Sequence, residues 1–229
     1  MGQSGKKRLI VGISGASGVI YAIRLLEVLA DVPEIETHLV ISSAGKRTIT
    51  FETEYSVAQI EALADCTYRQ GDIAAAISSG SFPTLGMVVV PCSVKTLSGI
   101  AISYSDNLLL RAADVVLKEH RKLVLVFRET PLHLGHLRSM VQLAEMGAII
   151  MPPVPAFYNL PASVNDIVDQ TVNRVLDLLD IELPHDLFQR WPLSEKTGTA
   201  NHTNVGFPLE VNELQAGIKN ASNGRAGIV

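Results

Sequence analysis

The chain has 229 residues, 47% of them hydrophobic and 18% charged, with a net charge of −4 and a pI of about 5.9. That is enough chain for one sizeable core, and the acidic balance offers no basic field for nucleic acid or an anionic membrane surface. Cys66 and Cys92 are the only cysteines, too few for a disulfide framework or a zinc cluster, which suits a reducing compartment.

The N-terminal stretch MGQSGKKRLIVGI is basic but runs into a strand-like segment and then glycines. It has no apolar leader or cleavage pattern, and Lys6 stands where a myristoylation signal needs Ser or Thr. No apolar run approaches a membrane span, so a soluble, cytoplasmic protein is expected. The first strand-like run covers 8–13, and others follow at 37–42, 85–90, 123–127 and 148–151. They are unbroken apolar stretches rather than alternating ones, the signature of parallel strands buried on both faces. Helical stripes lie between and after them. The clearest is the last, with Val164, Ile167, Val168, Thr171, Val172, Val175, Leu176 and Leu179 on one face. This alternation predicts an α/β fold: a parallel sheet in three layers, with helices on both faces. From about Pro192 onward Thr, Asn, Gly and Ser dominate, so 1–191 is expected to form the domain and 192–229 an extended or disordered polar tail.

In open parallel sheets, ligands bind beyond the carboxyl ends of the strands. The segments there are SGASG (14–18), SSAGK (42–46), PCSVKT (91–96), RETPLH (128–133) and PPVPAFYN (152–159). Most offer hydroxyls or a cation, and the last offers an aromatic pair. The opening loop fails the dinucleotide fingerprint, because its glycines stand at Gly12, Gly15 and Gly18. It also lacks the Gly-Lys-Ser/Thr ending of a Walker A loop. Neither Ser14 nor Ser17 fits the G-x-S-x-G elbow, since Ala16 and Val19 close the two windows. What remains is a hydroxyl-rich turn opening onto a helix N-terminus, a place that favours an anion such as a phosphate monoester. The plainer alternative is a tight glycine turn with Ser as its helix cap.

GISGASG, PCSVKTLSG, NLLLRAADVVLKE, RETPLHLGHL and MPPVPAFYN, in this order and spacing, closely resemble the UbiX/Pad flavin prenyltransferases over about 8–191. The resemblance implies a flavodoxin-like fold with FMN at the strand ends, assembled as a homododecamer with sites at subunit contacts. It implies transfer of a dimethylallyl group from dimethylallyl monophosphate to N5 and C6 of reduced FMN. The product, prenyl-FMN, would serve a UbiD-type decarboxylase, and no metal would be needed. By the same resemblance Gly15, Ala16, Ser17, Ser42, Ser93, Val94, Lys95, Thr96 and Arg128 would contact FMN. Tyr158 and Arg174 would hold the substrate phosphate, with Ser17, Glu52, Arg111, Lys118 and Glu129 as further polar members of the site. His120 departs from the family, many members of which carry Arg there.

Physically, the prenyl phosphate needs its leaving group neutralised, a task suited to Arg111, Lys118 and Arg174. Alternatively Arg111, Asp114 and Lys118, at i, i+3 and i+7, pair with one another, and Arg174 snorkels beside an apolar stripe. Glu129, directly after a buried strand, is the candidate for proton transfer; its alternative is an ion pair with Arg128. Glu52 alone reads as a solvated helix face. Tyr158 joins an apolar body to a polar tip, suited to a prenyl phosphate or simply to a core edge. His133 and His136 lack a third metal ligand, and Cys92 reads as a buried small residue. Two other functions fit the fold: an FMN-dependent oxidative decarboxylase, and a non-catalytic flavin-carrying subunit of a decarboxylase complex. The first needs no second cationic site; the second would have no use for Glu129 and Lys118.

Overall fold

A computed structural model gives the fold, and the residues it describes are 5–191; the predicted tail at 192–229 lies outside them. In chain order the elements are β1 (Lys7–Ile13), α1 (Val19–Ala30), β2 (Ile35–Ile41), α2 (Ser43–Glu52) and α3 (Val57–Glu61). Next come β3 (Cys66–Tyr68), a 3-10 turn (Ala76–Ser78), β4 (Gly86–Cys92), α4 (Val94–Ala101) and α5 (Leu108–Lys118). The series ends with β5 (Lys122–Phe127), α6 (Leu134–Glu145), β6 (Ile149–Ile150) and α7 (Val164–Leu178).

All strands pair in parallel in the order β3-β2-β1-β4-β5-β6. Every predicted strand is present, and β3 is one that apolar patterning does not reveal. It is a three-residue edge strand, CTY, flanked by Asp65 and Arg69, too short for a periodicity to develop. Side chains alternate between two cores, as the pleat requires. Leu9, Val11, Ile13, Val88, Val90, Val124 and Val126 face α1 and α7. Ile10, Met87, Val89, Leu123, Leu125 and Phe127 face α4, α5 and α6. Burial on both faces explains why these strands read as continuous apolar runs.

The sheet grows in one direction from β1 to β2 and in the other from β1 to β4, and such a reversal opens a crevice at the strand ends. Ser14 stitches that point together. Its hydroxyl donates to the Pro91 carbonyl at 2.7 Å and accepts from the Ser93 amide at 2.8 Å, while the side chain is only 1% exposed.

The predicted last helix forms, with Val168, Thr171, Val172, Val175 and Leu176 buried. Val164 departs from the stripe. It is the first residue of α7 and is exposed together with Val154, Phe157 and Leu160 on the arm that joins β6 to α7, beyond the reach of the chain's own core. No helix among the described residues is long and apolar enough to cross a membrane.

Candidate functional site

A cleft of about 460 Å³ lies at the strand ends on either side of the β1/β4 reversal. Gly15, Ser42, Ser93, Val94, Lys95, Thr96 and Glu129 all line it, so the loops after β1, β2, β4 and β5 converge as their positions in the sequence predict. Gly15 is there for space. A Cβ on it would lie 2.3 Å from the Cβ of Ala44, so the β1–α1 loop rests directly on α2. Gly18 ends the loop at φ 101, the left-handed region that favours glycine.

Two helices begin at the cleft with serine caps. Ser42 accepts the Gly45 amide at 2.9 Å and opens α2; Ser93 accepts the Thr96 amide at 3.3 Å and donates to the Thr96 hydroxyl at 3.1 Å, opening α4. The N-terminus of α1 is arranged differently. The Gly18 and Val19 amides donate to the Glu52 carboxylate at 2.8 and 3.3 Å. The anion expected at this turn is therefore supplied by the chain itself, and Glu52 is a helix cap rather than one residue of a solvated face. Ala16 and Ser17 lie in the same loop, Ser17 exposed.

Glu129 is half-buried, and one of its oxygens accepts the Thr130 amide at 2.9 Å. The alternative ion pair with Arg128 does not form among the described residues. Arg128 is exposed, and its backbone amide donates to the Cys92 carbonyl at 3.0 Å, which joins the ends of β4 and β5.

Arg128, like the other predicted cations Arg111, Lys118 and Arg174 and like Tyr158, does not line this cleft within one chain. Arg111 bonds Asp114 at 2.8 Å and the Ser78 carbonyl at 3.2 Å. Lys118 ends α5 and pairs with Glu119, not with Asp114. The predicted Arg111, Asp114 and Lys118 cluster is thus only half formed, because the adjacent carboxylate is nearer to the lysine. Arg174 is no mere snorkel: its Nη1 donates to Asp177 at 2.8 Å. Tyr158 packs edge-on against Trp191 with ring centroids 5.8 Å apart.

A family model described as Flavoprotein matches residues 1–176. Flavin prenyltransferase UbiX of Escherichia coli (strain K12) is 68% identical over 185 residues, covering 81% of this chain and 98% of that protein. The chain belongs to the UbiX flavin prenyltransferase family. Among solved structures, AnUbiX (PadA1) in complex with FMN and dimethylallyl pyrophosphate superposes with a TM-score of 0.78 at 47% identity, covering 81% of this chain and 97% of that one. A dodecameric FMN-dependent Ubix-like decarboxylase from Escherichia coli O157:H7 gives 0.76 at 54% identity, covering 78% and 97%.

In this flavin prenyltransferase the cleft has further lining residues that patterning alone does not single out, among them Arg47, Gln70 and Asn107. Gln70 follows the short β3, and its side-chain oxygen accepts from the Ser43 amide at 2.8 Å. Asn107 caps α5 by accepting the Leu110 amide at 3.2 Å, a signal present in the sequence as Asn directly before LLLR. His133 caps α6 and lies against His136 with ring centroids 3.6 Å apart and planes tilted by 30°. Glu36, His38 and Cys66 bring their ligand atoms within 4.8 Å of one another. Both His38 nitrogens already have partners there, Nδ1 with the Tyr68 hydroxyl at 2.8 Å and Nε2 with Glu36 at 2.7 Å. Cys92 is fully buried, and burial pushes its thiol pKa far up, which leaves it inert.

Proposed function

We propose that this flavin prenyltransferase transfers the dimethylallyl group of dimethylallyl monophosphate to N5 and C6 of reduced FMN and releases prenyl-FMN to a UbiD-type decarboxylase in the cytoplasm. The observation that carries the reading is the cleft itself. Its volume lies in the range of small-ligand sites, and its floor at Gly15 is bare where any side chain would collide with Ala44. The capped N-termini of α2 and α4 and the side chain of Lys95 supply donors suited to a phosphate-bearing flavin. When bound, reduced FMN supplies the nucleophilic ring atoms and the allylic phosphate supplies the electrophile.

The protein's part is positioning and charge. Holding two reactants in register contributes about 7–11 kcal/mol to such a step. Gly15, Ala16, Ser17, Ser42, Ser93, Val94, Lys95, Thr96 and Arg128 are assigned to the flavin. Arg174 and Tyr158 hold the substrate phosphate, and Arg111 and Lys118 add positive charge as the leaving oxygen becomes anionic. Glu129 moves a proton between the flavin edge and the departing phosphate. An oxidative decarboxylase would need no such second cationic site.

A homododecamer follows from the same reading. The arm carrying Tyr158 leaves Val154, Phe157 and Leu160 between 63 and 73% exposed, and a second copy would cover them. Subunit contacts would also bring Arg111, Lys118, Tyr158 and Arg174 to a cleft they do not line within one chain. Purified protein incubated with reduced FMN and dimethylallyl monophosphate should yield flavin heavier by one dimethylallyl group in the mass spectrometer. Recovery of unmodified FMN alone rejects the assignment.

A further inference from the structure

After α7 the chain turns back along the helix, and residues 181–191 are fastened to it. Leu183 and Leu187 pack on the α1/α7 core, and the Leu187 amide donates to Oδ1 of the buried Asn173 at 2.8 Å. Arg190 then uses both edges of its guanidinium. Nη1 and Nη2 donate to Asp177 at 2.9 and 2.7 Å, while Nε and Nη2 donate to Asp186 at 2.6 and 2.7 Å. The Asp177 oxygen that accepts Nη1 of Arg190 also accepts Nη1 of Arg174 at 2.8 Å. The next residue along, Trp191, is the one that packs on Tyr158. Two consecutive residues of this strap therefore bear on both residues assigned to the prenyl phosphate.

We propose that Arg190 is a positioning residue for the prenyl-phosphate site: by sharing Asp177 it fixes Arg174 at one nitrogen and leaves the Nε–Nη2 edge of Arg174 for the phosphate. The proposal rests on the assignment of Arg174 to that phosphate. Among the described residues Arg174 donates only through Nη1, so its bidentate edge is open. Arg174, Asp177, Asp186 and Arg190 together carry no net charge. Without Arg190 the group is left with an excess carboxylate beside a dianionic ligand, and Asp177 is free to draw in the whole Arg174 guanidinium. Arg190 is itself 45% exposed, so solvent screens the effect and keeps it modest.

The test is calorimetric titration of the full-length, FMN-loaded protein with dimethylallyl monophosphate, the flavin kept oxidised so that no turnover occurs. Arg190→Ala should weaken prenyl-phosphate binding roughly 3- to 5-fold, with the loss shrinking at high salt and FMN affinity unchanged. Arg190→Lys, which restores the charge without the double fork, should recover part of it. Asp186→Asn should act in the opposite direction and tighten binding roughly 2-fold, because it removes a carboxylate while Arg190 stays on Asp177. A strap that only holds the fold together would not improve binding, so Asp186→Asn decides the matter even if Arg190→Ala does not fold. Unchanged binding in Arg190→Ala and Asp186→Asn, with binding lost in Arg174→Ala, overturns the proposal. Parallel loss of FMN overturns it too. Unchanged binding in Arg174→Ala overturns instead the assignment of Arg174 on which it stands.

Discussion

Glu129 sits where a buried strand gives way to the cleft, half-buried, with one oxygen engaged by the Thr130 amide and the other directed by no protein donor among the described residues. The second oxygen is thereby left for the proton transfer proposed for this residue. Glu129→Gln keeps the size of the side chain and removes its titrating proton. Turnover should fall by about 10²–10⁴-fold with FMN affinity intact, a contribution typical of a general acid–base group. Stopped-flow measurement of product formation checks this, and an unchanged rate removes the role. Arg174 is assigned to the other substrate. Loss of a charge-assisted hydrogen bond is worth about 1.5–3 kcal/mol, so Arg174→Ala should raise the KM for prenyl phosphate by roughly 10- to 100-fold. The dissociation constant of FMN, measured by fluorescence quenching, should barely move, because the flavin cleft does not include this residue.

At the scale of elements, the cleft depends on how closely the β1–α1 loop lies on α2. Gly15→Ala places a methyl group 2.3 Å from the Ala44 Cβ, and neither backbone can retreat without disturbing a capped helix start. Overpacking of this kind costs about 1–3 kcal/mol, so FMN affinity should drop at least several-fold. Ala44→Gly in the same chain should recover part of it, as equilibrium titration would show; no recovery places the defect elsewhere. The elements differ in how readable they were. β1, β2, β4 and β5 announce themselves because both faces are buried, and the loops after them lead to the cleft by topology alone. β3 does not, being a three-residue edge strand, and Gln70 is hidden with it. Glu52 reads locally as part of a solvated face because its partner is the start of α1, 33 and 34 residues away, and no local pattern records such a contact. Family resemblance, not cleft topology, marks Arg111, Lys118 and Arg174, and Tyr158 lies in the strand-end segment 152–159; none of the four lines the cleft of a single chain.

The whole molecule sets the limits of the chemistry. The described residues furnish a cleft of about 460 Å³ and, on the proposed assignments, cations for a phosphate; those assignments give no residue to an aryl carboxylate. The purified protein should therefore not decarboxylate a hydroxybenzoate unless a UbiD-type partner is added, as chromatography of the reaction mixture would show. Up to Trp191 the strap bonds α7 and packs on Tyr158; from about Pro192 onward the sequence turns to Thr, Asn, Gly and Ser, and the proposed domain boundary lies there. A chain ending at Trp191 should bind FMN and form prenyl-FMN at the full-length rate and sediment as the same oligomer. A chain ending at Gln189, which lacks Arg190 and Trp191, should lose affinity for the prenyl phosphate while keeping FMN. If the Trp191 truncation abolishes turnover or assembly, the tail packs on a neighbouring subunit, and the domain boundary belongs farther along the chain.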